Sequence, residues 1–194
     1  MGIIDSDFGM SSNPTLHRYP VQYVSAWTTT GGMPVVIRPI RPDDEPLMVK
    51  FHGTLSEQSV YLRYFHMEKL DSRVAHDRLV KKCFIDYESE MALVADWQDP
   101  STGEREILAV GRMTKVPDAC EAEVAVLVSD QAQKQGLGTE LVRRLIEVAR
   151  DEKLERIVAV ILPENYGMMA LARRFQFTVR PNPDPSVVIA VLDL

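Results

Sequence analysis

The clearest pattern of hydrophobic and polar positions lies at residues 137–152. Leu141, Leu145, Val148 and Ala149 recur at helical spacing, and charged residues fill the opposite side. This pattern predicts a helix with one buried face. Weaker patterns predict four more helices: one beginning at Asp43 or Asp44, then 57–65, 72–83 and 165–175.

Apolar runs predict the strands. Residues 122–128 and 156–162 are almost wholly apolar, which is typical of strands covered on both faces. A dense turn signal at 99–103 lies between two strand-like runs and predicts a hairpin. The remaining predicted strands are 21–29, 34–40 and 186–194. Together the elements predict one α/β domain over 21–194, preceded by a flexible lead-in at 1–20.

Composition narrows the class of protein. Hydrophobic residues make up 45% and charged residues 26%, which is ordinary for a globular chain and argues against general disorder. The net charge of -6 argues against nucleic-acid binding through phosphate neutralisation, whereas it permits a cationic substrate such as an amine. No run approaches the ~20 apolar residues that span a bilayer, so no membrane partner is expected.

Cysteine and histidine usage bears on compartment and metals. Cys83 and Cys120 form no C-x-x-C pair, and the four histidines show no metal-ligand spacing. The first twenty residues lack the apolar run of a signal peptide. We therefore expect a cytoplasmic protein without a metal site. The oligomeric state is left open.

The candidate chemistry lies just before the long helix, in the loop Gln133, Lys134, Gln135, Gly136, Leu137, Gly138 and Thr139. A loop that opens a helix exposes backbone N–H groups at the positive end of the helix dipole, which suits a pyrophosphate. The two glycines would let phosphate oxygens approach the backbone. A bare G-x-G also occurs in ordinary strand-to-helix turns, so the flanking residues decide.

The flanks exclude two phosphate-binding motifs and favour a third. No Gly-Lys-Ser/Thr follows, and Leu141 stands where the dinucleotide fingerprint has its third glycine. The loop resembles the Q/R-x-x-G-x-G/A motif of the GNAT superfamily of acyl-CoA N-acyltransferases, with Gln133, Gly136 and Gly138 at the defining positions. The resemblance covers about residues 34–194.

Three other segments resemble the GNAT domain of bacterial Pat-type protein lysine acetyltransferases: RYPVQYV (18–24), VVIRPIRPDDEPLMVKFHGTLSEQSVYLRYF (35–65) and AEVAVLVSD (122–130). The resemblance implies the GNAT fold, a mixed, mostly antiparallel, splayed sheet with helices on both faces. It also implies direct transfer of an acetyl group from acetyl-CoA to an amine. A protein lysine is the expected acceptor, with an acyl-CoA synthetase as an expected target.

The same resemblance implies residues that bind the cosubstrate. The pyrophosphate is expected on the N–H groups of 133–139. The pantetheine is expected along the strand edge of Val126, Leu127 and Val128. Asn165 heads the next helix, and Arg173 on that helix is a candidate partner of the CoA phosphates, although a solvated basic face is equally compatible.

Catalytic residues follow from the same resemblance. Glu123 matches the position of a general-base glutamate, which is needed because a lysine ammonium has a pKa of about 10.4. Glu121 and Asp130 are alternative bases. Many GNAT enzymes carry a tyrosine that protonates the leaving thiolate, but in this sequence that position holds Ala172. Pat-type relatives also tend to lack this tyrosine.

Two other functions remain open at this point. The first is acetylation of a small amine or amino acid, for which a deep, enclosed acceptor pocket would speak. The second is a non-catalytic module that senses acyl-CoA, which would bind CoA without turnover.

Overall fold

The computed structural model describes residues 18–194 and places eight strands in one open sheet. The strands are β1 (Ser25–Thr28), β2 (Pro34–Pro39), β3 (Glu90–Gln98), β4 (Arg105–Lys115), β5 (Glu121–Val128), β6 (Arg156–Ile161), β7 (Thr178–Pro181) and β8 (Val188–Asp193). Their order across the sheet is β1-β2-β3-β4-β5-β6-β8-β7, and only β5 and β6 pair in parallel. The predicted mixed, mostly antiparallel sheet is confirmed. Apart from residues 18–20, the predicted lead-in lies outside the described residues.

Helices cover both faces of this sheet. They are α1 (Glu45–Gly53), α2 (Glu57–Tyr64), α3 (Leu70–Arg73), α4 (His76–Cys83), α5 (Leu137–Asp151) and α6 (Tyr166–Arg174). One core lies between the sheet and α5, where the predicted apolar positions of that helix are buried. A second core on the opposite face is formed with α1, α2 and α4. The sheet is therefore buried on both sides.

Strands β5 and β6 separate partway along their length. They pair only where residues 121–123 face 156–158. Beyond Glu123, β5 continues to Val128 and keeps its pairing with β4 alone, while β6 pairs along its length with β8. The predicted splay is confirmed, and it leaves the backbone groups on one edge of β5 without a strand partner.

Three elements differ from the sequence-based expectations. Residues 21–29 form a short 3₁₀ turn followed by β1 rather than one strand. The helix predicted at 72–83 is interrupted at Ala75, whose backbone is extended (φ −56°, ψ 131°). Arg73 anchors α3 before this break, because its buried guanidinium donates hydrogen bonds to the carbonyls of His52 (3.0 Å) and Glu68 (3.2 Å). Strand β7 is additional.

A buried ion cluster fastens β2 to β3 and to the start of α1. Arg38 is 2% exposed and donates to Asp96 at 2.8 Å and to both oxygens of Asp44 at 2.6 and 2.7 Å. Arg105 pairs with Asp96 from outside. Burial acts to raise the pKa of Asp96, but hydrogen bonds from Arg105 and Arg38 outweigh it and hold that pKa below its usual range. These four residues are called the Arg38 cluster below.

Candidate active site

A cavity of about 550 Å³ opens beside the unpaired edge of β5. Its walls come from α2, β5, the start of α5 and the start of α6. Its volume lies within the ~300–1,000 Å³ typical of small-molecule sites. The predicted cosubstrate residues that line it are Val126, Leu127, Val128, Gln133, Lys134, Gly136, Leu137, Gly138, Thr139 and Asn165.

The start of α5 presents free backbone donors to this cavity. The first hydrogen bond of the helix runs from the N–H of Glu140 to the carbonyl of Gly136, at 3.0 Å. The N–H groups of Leu137, Gly138 and Thr139 therefore have no acceptor within the helix. Donors at the positive end of a helix dipole suit phosphate oxygens.

Gly136 is also required by packing, whereas Gly138 is not. Gly136 has a φ of +86°, and a Cβ there would lie 3.3 Å from side-chain carbons of Thr30 and Trp27. A Cβ on Gly138 would lie 3.4 Å from Leu171 in the wall of the cavity. The first glycine thus allows the turn to pack against the β1–β2 hairpin. At Gly138 an added Cβ would make only ordinary van der Waals contacts, so the local packing tolerates one there.

A polar cluster that the sequence did not reveal joins this loop to α2. Asp130 accepts hydrogen bonds from the backbone N–H of Ser56 and from the hydroxyl of Ser59 (2.5 Å). The side-chain amide of Gln133 donates to Asp130 at 2.8 Å and to Ser59 at 3.3 Å. Gln133 therefore positions the loop against the N-terminus of α2. The N-cap Ser56 was the available signal, but nothing in the sequence linked it to Asp130.

Asn165 has a comparable positioning role. Its carbonyl oxygen caps α6 by accepting the N–H of Met168 at 3.0 Å, and its amide nitrogen lies 3.5 Å from the carbonyl of Leu62. The second contact links the start of α6 to α2, and residues of both helices line the cavity.

Glu123 lies at the last position where β5 pairs with β6. Its cross-strand neighbour on β4 is Thr114, and the next pairs along the same face join Ala125 with Arg112 and Leu127 with Val110. The Glu123 side chain is exposed, on the sheet face that carries α1, α2 and α4. The predicted base is thus open to solvent at the point where the strands separate.

Not every predicted residue reaches the cavity. The carbonyl of Gln135 accepts the N–H of Thr30 at 3.1 Å and so holds the hairpin. Arg173 is exposed on α6 and does not line the cavity. Ala172 is 2% exposed in the core, so its position offers no general acid. Tyr166, 80% exposed at the start of α6, lines the cavity.

Within residues 18–194, no three His, Cys, Asp or Glu side chains are grouped so that they could hold a metal ion. None of the helices there combines the length and apolar character needed to cross a membrane.

Known proteins resemble this chain in both sequence and fold. Residues 35–178 match the family model of the acetyltransferase (GNAT) domain. Acetyltransferase PA5475 of Pseudomonas aeruginosa is 30% identical over 158 residues, which cover 81% of this chain and 82% of that protein. Among solved structures, the GNAT domain of S. lividans PAT has a TM-score of 0.80 at 26% identity, over 91% of this chain and 100% of that one.

A more distant structure shares the fold alone. PaiA N-acetyltransferase from Thermoplasma acidophilum, solved in complex with coenzyme A, has a TM-score of 0.64 at 11% identity, over 82% of this chain and 99% of that one. The family match spans the central strands, the glycine loop and α5 described above. On these grounds the chain belongs to the GNAT family and is an N-acetyltransferase.

Proposed function

We propose that this protein acetylates the side-chain amine of protein lysines, with acetyl-CoA as the donor. One observation carries the proposal: β5 leaves its parallel partner at Glu123, and the unpaired edge beyond it borders the large cavity. Glu123 does not itself line this cavity but lies three residues before Val126, the first residue of β5 that does, so a donor bound along the unpaired edge would direct its thioester back along β5 toward Glu123.

Glu123 first takes a proton from the ammonium, and the neutral amine nitrogen then attacks the thioester carbonyl carbon. A C–N bond forms, the C–S bond breaks and CoA leaves as a thiolate, while the nitrogen gives up its second proton to the solvent that reaches Glu123. Backbone N–H groups on the unpaired edge of β5 stabilise the carbonyl oxygen as it gains charge. Free donors of Leu137, Gly138 and Thr139 bind the pyrophosphate. The thiolate leaves without a tyrosine acid, since Ala172 occupies that position.

A protein acceptor is supported by exposure at the reacting end. Glu123 lies in solvent rather than in an enclosed pocket, so a lysine on a protein surface can reach it. The likeness to the S. lividans PAT domain supports the same class of acceptor. An acyl-CoA synthetase is our proposed target, and the cytoplasm, which suits two unpaired cysteines, is our proposed compartment.

The test compares two neighbouring carboxylates. Glu123→Gln should lower the rate of lysine acetylation at neutral pH by about 100-fold or more, because a positioned base is removed. Its acetyl-CoA affinity should stay unchanged. Glu121→Gln is the matched control, since Glu121 is two residues earlier on the same strand and pairs with Arg156. Rates would be measured by mass spectrometry on an acyl-CoA synthetase and on free amines.

Three outcomes would contradict the proposal. Equal rates for the two variants would remove Glu123 as the base. Transfer to free amines alone would indicate a small-amine enzyme. Binding of acetyl-CoA without any transfer would indicate a sensor.

A further inference from the structure

A second cavity, of about 60 Å³, lies on the sheet face that carries Glu123. Five elements contribute to it: α1, α2, α4, β4 and β5. Since about 10–15 Å³ of such space holds one water, the cavity has room for a few heavy atoms, such as a carboxylate. Arg63 and Leu127 line both this cavity and the larger one, so the two spaces adjoin.

Four cationic side chains line this small space: Arg63, Arg78, Lys82 and Arg112. Arg78 is paired with Glu68, and Arg112 with Glu90. Within residues 18–194, no carboxylate forms an ion pair with Arg63 or Lys82. Arg63 instead lies over the ring of Tyr64, 5.3 Å from its centroid, and feels the charge of Glu123. The four cations thus outnumber the carboxylates that form ion pairs with them by two. We call this small space, with the side chains that line it, the cationic cavity.

Burial, with a smaller contribution from neighbouring positive charges, acts against the charged forms of the two unpaired cations, Lys82 and Arg63. Burial, followed by the charge of Arg112, lowers the pKa of Lys82. Burial likewise lowers the pKa of Arg63, and it outweighs the opposing effects of Tyr64 and Glu123, with smaller lowering contributions from Arg112 and Arg78. An anion bound among these side chains would relieve the repulsion.

A buried donor or acceptor also lacks a partner here. His52 lines the cavity, is 4% exposed, and its Nδ1 makes no hydrogen bond within the described residues. Native proteins satisfy the great majority of buried polar atoms, so the imidazole of His52 retains the capacity for one more hydrogen bond. Because His52 is neutral at pH 7, it would donate to an anion without adding charge.

The cavity lies close to the predicted base. Ala125 lines it and is two residues after Glu123 on the same face of β5, a distance of about 7 Å along a strand. An acceptor whose amine meets Glu123 can therefore place a second group in the cavity.

We propose that the cationic cavity binds a carboxylate of the acceptor and so selects amines that carry an acidic group nearby. The acidic group is either a side chain close to the target lysine or the α-carboxylate of a free amino acid. This inference rests on the proposed function for the position of the reacting amine.

The first experiment tests the cavity without any turnover. Acetate is titrated into the full chain against chloride at equal ionic strength, and the imidazole NMR signals of His52 are followed. We expect the His52 signals to shift saturably in the acetate titration and not in the chloride titration. Lys82→Gln should weaken acetate binding about tenfold, because a charge-assisted contact is lost. Lys81→Gln is the matched control: it removes the neighbouring lysine of α4, which does not line the cavity. Absence of saturation, or equal effects of both substitutions, overturns the proposal.

The second experiment identifies the source of the carboxylate. Lysine peptides with Glu or Gln beside the acceptor are compared, as are free lysine and lysinamide. One pair should show a preference of about tenfold or more in kcat/KM for the acidic member, and Lys82→Gln should abolish it. Transfer without any such preference overturns the inference and leaves the proposed function standing. No transfer at all overturns the proposed function, while the acetate titration still decides the fate of the cavity.

Discussion

Two groups of charged residues lie on this protein, and they are built in opposite ways. In the Arg38 cluster, each carboxylate accepts a hydrogen bond from an arginine, and Arg38 is almost wholly enclosed. In the cationic cavity, four cations face two carboxylates, and His52 Nδ1 has no partner. The first group is complete in itself and ties strands together. The cationic cavity lies near the predicted base and has cations without a paired carboxylate. Unpaired cations of this kind are what a site for an anion requires.

Breaking the complete cluster should have the largest effect. Arg38→Met leaves Asp44 and Asp96 buried without their shared cation, and we expect a loss of about 3–5 kcal/mol in the free energy of unfolding. Urea denaturation measures this. Lys50→Met is the control, since Lys50 pairs with Glu104 in solvent at 4.0 Å and should change stability by about 1 kcal/mol or less. Equal losses in both variants would contradict the distinction.

Acid should destabilise the protein through His52, which lines the cationic cavity. Burial first, then the charges of Arg73 and Arg78, lower the pKa of His52 to about 4 from an unfolded value of 6.5. The unfolded chain therefore binds this proton first as pH falls, so stability declines between about pH 6.5 and 4. The full contribution is about 3 kcal/mol. His52→Gln should remove that part of the decline in carboxylate-free buffer, whereas His66→Gln should keep it. An unchanged slope in His52→Gln would refute this.

The smallest effect is expected from a charge that repels its neighbours. Lys82→Gln should change the free energy of unfolding by about 0.5 kcal/mol or less, or raise it, because it lowers the excess of positive charge. Urea denaturation at low salt would show the gain in the free energy of unfolding best, since the screening of charges is weakest there. A loss comparable to that of Arg38→Met would mean that Lys82 has a structural partner.

The sequence predicted most of the sheet and α5, because buried strands and an amphipathic helix leave periodic signals. It missed β7, because its four residues are all exposed, include a proline and leave no buried pattern. Pairing with β8 defines this strand instead. The helix at 72–83 was predicted as continuous because the contact of Arg73 with the carbonyl of His52 is long-range.

The site divides in the same way. The glycine loop was visible because its residues are contiguous, and Glu123 followed from a family resemblance. The cationic cavity draws side chains from five elements, and each of its three arginines and its one lysine resembles an ordinary surface residue in its own helix or strand. The Asp130 contact with α2 joins residues 74 positions apart, which no local pattern indicates.

The central claim is that the start of α5 binds the CoA pyrophosphate, and calorimetric titration with acetyl-CoA tests it most directly. Gly138→Asn and Gly138→Asp form a matched pair, since both add the same bulk to the cavity wall and only one adds charge. A carboxylate in the first turn also favours the helix, so the fold should persist. We predict one-to-one binding by the wild type and at least about tenfold weaker binding by Gly138→Asp than by Gly138→Asn. Equal affinities of the two variants would contradict the assignment.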